Sequence, residues 1–134
     1  MKLKLFTSII LATTLSACSS TSNGGGWPEE LKLAANQINS SLPMMLDAET
    51  RIDSTFAFMN TFTYNYTIVT SSVNEINVQA FRDLMTKKIF NTVCTKPDMA
   101  SFVQNNTEVN YAYVDSDGKH ITKISVDTRQ CEKI

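Results

Sequence analysis

Residues 49–70, ETRIDSTFAFMNTFTYNYTIVT, decide the fold. In the first half Ile52, Phe56 and Phe58 alternate with Arg51, Asp53, Thr55 and Ala57. After a turn near Asn60, Phe62, Tyr64, Tyr66 and Ile68 alternate with Thr63, Asn65 and Thr67. A period of two, carried by aromatic and β-branched residues, predicts a pair of half-buried antiparallel strands. Tyr64 and Tyr66 share a strand face with Phe62 and Ile68. That company places them in a sheet–helix core rather than on a platform for stacking bases or sugars.

Upstream of this pair the period changes. Trp27-Pro28-Glu29-Glu30 opens a helix, with Pro in the first turn and two carboxylates at the positive end of the helix. Leu31, Ala34, Ala35, Ile38 and Leu42 follow at helical spacing, and Pro43 ends the run. Trp27 is expected to pack on the domain rather than to dip into a membrane interface. Downstream, Asn77 is a good N-cap for a helix reaching Val93 or Cys94, with Phe81, Leu84, Met85, Ile89 and Val93 as its buried stripe. Arg82, Lys87 and Lys88 form a solvated face. Thr95-Lys96-Pro97-Asp98 breaks that helix and starts a short third one to about Gln104, with Met99, Phe102 and Val103 facing inward. Asn105-Asn106 supplies a turn, because Asn tolerates positive φ. Glu108–Val114 and Lys119–Asp127 then form a hairpin around Asp115-Ser116-Asp117-Gly118. The expectation is an α+β fold: an antiparallel sheet of four or five strands with about three helices on one face. Thr55, Thr63, Asn65, Thr67, Lys123 and Ser125 mark the other face as wet.

The chain has 134 residues, room for one domain. With 43% apolar and 19% charged residues it should fold, and 12 Lys+Arg against 13 Asp+Glu give no field that would recruit nucleic acid. Residues 1–17 read as a signal peptide: Lys2 and Lys4, an apolar run from Leu5 to Leu15, then small residues. Leu15-Ser16-Ala17-Cys18 resembles the bacterial lipobox. The resemblance implies cleavage before Cys18, fatty acylation of its sulfur and, with Ser19 following, delivery to the periplasmic face of the outer membrane. Residues 18–26 are then the lipidated Cys and a flexible Gly/Ser tether with a reach of roughly 15 Å. Residues 27–134 are one periplasmic domain, and the mature chain carries 10 Lys+Arg against 13 Asp+Glu.

If Cys18 carries lipid, Cys94 and Cys131 remain as a pair in an oxidising compartment, where a disulfide is the default. It would close a loop of about 38 residues, for which chain entropy gives roughly 4 kcal/mol. Two Cys and one His do not close a zinc site. His120 lies beside an Asp-rich turn with no nucleophile or orienting group in its spacing. Asp115-Ser116-Asp117-Gly118 shows part of a calcium-loop pattern, but the third oxygen ligand before Gly118 and the Glu after it are missing, so it reads as a turn. No catalytic residue, metal ligand or cofactor is expected.

The ordered elements, taken together, resemble the α+β class of type II secretion pilotins. The features that match are the lipobox Cys18, a helix running into Ile38-Asn39-Ser40-Ser41-Leu42-Pro43, and two paired strands. A helix ending near Cys94-Thr95-Lys96-Pro97, the Met99–Val103 segment and a hairpin ending at Cys131 complete the match. The likeness covers about residues 31–131 as a pattern of elements. It implies a lipid-anchored chaperone that binds a short C-terminal helix of a secretin and escorts that subunit to the outer membrane. From the residues themselves the expectation is a non-enzymatic protein-binding module with an envelope protein as partner. Its surface would be a groove between the first helix and the sheet, or an exposed sheet edge. The alternative is an inhibitor or exclusion lipoprotein that blocks an envelope hydrolase or a phage receptor.

Overall fold

The computed structural model describes residues 25–133, so the signal peptide, Cys18 and most of the tether lie outside the described residues. Helix α1 spans Trp27–Asn39, with Pro28 in its first turn and Glu29 and Glu30 beside its N-terminal amides. A two-residue strand β1, Met44–Met45, precedes β2, Thr50–Phe58, and β3, Thr61–Ile68. A short 3₁₀ turn leads into α2, Val78–Thr95, where Asn77 Oδ1 accepts the Ala80 N–H at 3.0 Å as a cap. Helix α3, Ala100–Gln104, is followed by β4, Glu108–Val114, and β5, His120–Asp127. Asn106 and Gly118 take positive φ at the turns before and after β4.

The strands form one sheet in the order β1-β2-β3-β4-β5. Three of its pairings are antiparallel, but β3 and β4 run parallel, from Thr61 opposite Glu108 to Thr67 opposite Val114. The sheet is therefore mixed rather than wholly antiparallel. The reason is the connection: α2 and α3 carry the chain back to the start of β3, and such a crossover joins parallel neighbours. Helices α1, α2 and α3 lie on one sheet face. Leu31 and Ala35 of α1, Ile89 and Val93 of α2 and Phe102 of α3 are buried with Phe62, Val109, Ile124 and Val126 of the strands. Phe62, Val93 and Val109 have no exposed surface, which puts the centre of the core beneath α2 and α3.

A bulge in β2 changes the expected phase of that strand. Ile52 pairs with Tyr66, but the next pair is Ser54 with Asn65, so Asp53 is an extra residue. Each side chain after it changes face. Thr55 and Ala57 are therefore buried under α1, at 5% and 7% exposure, while Phe56 and Phe58 stand at 60% and 59% on the opposite face. Asp53 is held there by Arg51 and by Thr67 of β3. Two further expectations are revised. Helix α1 ends at Asn39, before the Leu42–Pro43 peptide, because single turns at Ser40 and Ser41 close it early. Leu84 is 67% exposed, since it lies five positions from buried Ile89, about 140° around the helix.

Candidate functional site

One row of four tyrosines crosses the helix-side face of the sheet. Tyr64 and Tyr66 come from β3, Tyr111 and Tyr113 from the neighbouring parallel strand in matching register. Their rings stack, with centroids 5.2 Å apart for Tyr64–Tyr111 and 5.1 Å for Tyr66–Tyr113. Phe81 of α2 meets Tyr113 edge-on at 5.2 Å. Burial pushes the Tyr64 phenol up to about 12. Burial first, and the charges of neighbouring phenols second, raise Tyr66 and Tyr111, and burial raises Tyr113.

Three of these rings form the floor of a groove of about 610 Å³. One wall is a face of α2: Phe81, Leu84, Met85, Lys88, Ile89 and Thr92 recur at helical spacing along it. The opposite wall is the β1–β2 connection, Leu46 to Thr50, and Ile68 closes the floor between them. From Phe81 to Thr92 the wall is about 17 Å long, which matches three turns of a partner helix. Leu46 and Leu84 stand on opposite lips with 51% and 67% of their surface in water. The β1–β2 connection is stiffened by Asp47, whose Oδ1 accepts the Glu49 N–H at 2.8 Å and the Thr50 N–H at 2.7 Å. Those two backbone donors, helped by the Lys88 charge across the groove, hold the Asp47 carboxyl below its ordinary value.

This groove is not where the sequence suggested one. A smaller cleft of about 380 Å³ does lie between α1 and β2, lined by Lys32, Asn36, Asn39 and Phe58 among others. Asn39 occupies its inner side. Its Nδ2 donates to Thr55 O at 2.9 Å, and its Oδ1 accepts the Thr55 N–H at 2.6 Å. The amide thus takes the place of a neighbouring strand at that point of the β2 edge. The α2 groove was hidden in the sequence because its lip, Leu84, reads as core by periodicity alone.

The structure joins Cys94, at the end of α2, to Cys131, with Cα atoms 5.1 Å apart. His120 is exposed at the start of β5. Asp115 is fully buried and saturated by backbone: Oδ2 accepts the Val73 N–H at 2.7 Å, and Oδ1 accepts those of Asp117 and Lys119 at 2.9 and 2.7 Å. Burial pushes its carboxyl up, but these three donors together with the Lys119 charge outweigh it and hold it below the ordinary value. Its oxygens are spent on the turn that links β4 to β5. Among the described residues no three His, Cys, Asp or Glu side chains converge, and no helix is long and apolar enough to cross a membrane.

The family model described as a domain of unknown function (DUF8479) matches residues 29–122. No curated protein matches the chain. Among solved structures, a protein of Pseudomonas aeruginosa described as secreted superposes with a TM-score of 0.66 at 11% identity, covering 78% of this chain and 91% of that one. The pilotin of the Vibrio vulnificus type 2 secretion system gives 0.58 at 15% identity, covering 78% and 94%. The type II secretion pilotin of Vibrio cholerae gives 0.57 at 15%, with the same coverage. At these identities the similarity is one of fold.

Proposed function

The chain belongs to the family described as a domain of unknown function (DUF8479), and from its groove and its fold we propose that it is an outer-membrane-anchored, non-enzymatic binding module of the pilotin kind. In this reading residues 1–17 are removed, Cys18 carries the acyl anchor, and the folded body binds a short amphipathic helix of a secretin and escorts it. The observation that carries the reading is the tyrosine-floored groove beside α2. Its length suits a short helix, its floor and lips are apolar, and Asp47, Glu49, Lys88 and Thr92 give it a polar rim. Helix-in-groove recognition needs that combination: buried apolar anchors for affinity and rim charges for register. The likeness to two pilotins supports the choice of partner class.

The test uses the whole chain in its own envelope. Leu84→Asp puts a charge on the apolar lip without touching the core, so it should abolish co-isolation of the secretin while leaving the fold intact. Cys18→Ala should release the module from the outer membrane and leave the secretin short of it. Secretin reaching the outer membrane in both variants would overturn the reading. Blocking of a hydrolase or phage receptor, the alternative function, would leave secretin placement unaltered in either variant.

A further inference from the structure

The tip of the β2–β3 hairpin is apolar and sits beside the first residue of α1. Phe56, Phe58 and Met59 are 60%, 59% and 68% exposed, three of four consecutive residues. Met59 has a φ of 51° at the first position of a two-residue hairpin loop, where glycine is the unstrained choice. A long apolar side chain is thus presented to water from a backbone position that disfavours it. The tip is tied to the beginning of the folded body. Trp27 Nε1 donates to Thr107 Oγ1 at 2.7 Å, and Thr107 Oγ1 donates to Asn60 Oδ1 at 2.9 Å. Asn60 Nδ2 in turn donates to the carbonyls of Asn105 and Asn106 at 3.1 and 3.0 Å.

Cys18 and Trp27 are nine positions apart. Whatever path that segment takes, covalent geometry keeps the two within about 30 Å. A lipid on Cys18 therefore keeps this end of the molecule within about 30 Å of the bilayer, and the tip is at this end. The charges around it are mixed: Glu29 pairs with Lys32 at 2.8 Å, and Arg129 pairs with Asp127 at 2.6 Å. Glu30 and Glu108 are also exposed at this end, so its field leans acidic and insertion would rest on apolar area rather than on charge.

We propose that Phe56, Phe58 and Met59 insert into the acyl–headgroup boundary of the periplasmic leaflet and form a second, non-covalent membrane contact that orients the domain. The proposal rests on the acylation of Cys18 put forward above. Insertion of this kind depends on buried apolar area close to an anchored end, and two weak contacts on one body act together.

The test takes the full chain isolated from membranes and reconstituted on phosphatidylethanolamine–phosphatidylglycerol vesicles that hold no other protein. A polarity-sensitive fluorophore is attached through Met59→Cys, and in a control through Ser116→Cys, which lies in the exposed turn at the other end of the sheet. The expected result is a blue shift with a several-fold rise in emission at the Met59 position and water-like emission at the Ser116 position. Adding Phe56→Ser and Phe58→Ser should return the Met59 signal to that of water, with the protein still on the vesicles. An acylated, vesicle-bound chain whose Met59 probe stays in water overturns the proposal alone. So does a blue shift that follows protein concentration instead of lipid, which would mark contact with a second copy. Mass spectrometry showing residue 18 unmodified overturns the anchor and the proposal together.

Discussion

Asn39 shows how one amide can settle the edge of a sheet. It donates to and accepts from the backbone of Thr55, and Thr55 Oγ1 lies 3.1 Å from Ala35 O as well as 3.0 Å from Asn39 Oδ1. Asn39→Ala would leave the Thr55 N–H and C=O in a half-buried cleft without these partners. The expected loss is about 1–3 kcal/mol, read as a lower urea midpoint at unchanged slope. Asn39→Asp should recover part of it, because the oxygen acceptor survives and the amide donor does not. The sequence showed Asn39 only as a polar position in a helix read through to Leu42, since its partner lies sixteen positions away and the Asp53 bulge decides which face Thr55 takes. Asp115 was more legible. Asp-x-Asp-Gly between two alternating runs predicts a hairpin turn, and the buried carboxylate does what such a turn asks of it.

At the scale of elements, the ladder of stacked tyrosines makes a prediction for alkaline pH. All four tyrosines of the chain lie in it, and each phenol is raised above the ordinary value of 10.0. A group with a raised folded pKa contributes stability that is complete below its unfolded value and lost as pH climbs through the folded one. Near pH 11 the native protein should therefore show little tyrosinate absorbance, whereas denatured chain shows most of it, and the folded state should fail in that alkaline range. A gradual titration near pH 10 without unfolding would contradict the burial. Helices α2 and α3 and the β4–β5 hairpin were legible because caps, prolines and turn residues mark them locally. Strand β1 was not, as two methionines in a row carry no period. The β2 bulge was not either: Ile52, Phe56 and Phe58 fit an unbroken alternation, and only the register of β3 reveals the extra residue.

The whole molecule is stapled just past the end of β5 by the Cys94–Cys131 bridge, which spans 37 positions and ties the end of α2 to the segment after β5. Replacing both residues by Ser frees the unfolded chain and should lower stability by about 2–5 kcal/mol. The groove wall is α2 itself, so the loss should be seen in thermal unfolding first and as weaker partner binding at higher temperature. The architecture as a class was readable from the order of elements. The parallel pairing of β3 with β4 was not, because a long helical connection and a hairpin leave the same alternation in each strand.

The placement of β3 has one more consequence. Its first residue adjoins the Met59–Asn60 tip, and its last, Ile68, lies in the groove floor. Eight residues of extended backbone at about 3.3 Å each make a strut of roughly 26 Å. Hydrogen bonded on both sides, it cannot be shortened without undoing the sheet. A cargo helix seated at one end would thus ride at a fixed height over whatever surface the other end rests on, as on a gauge block.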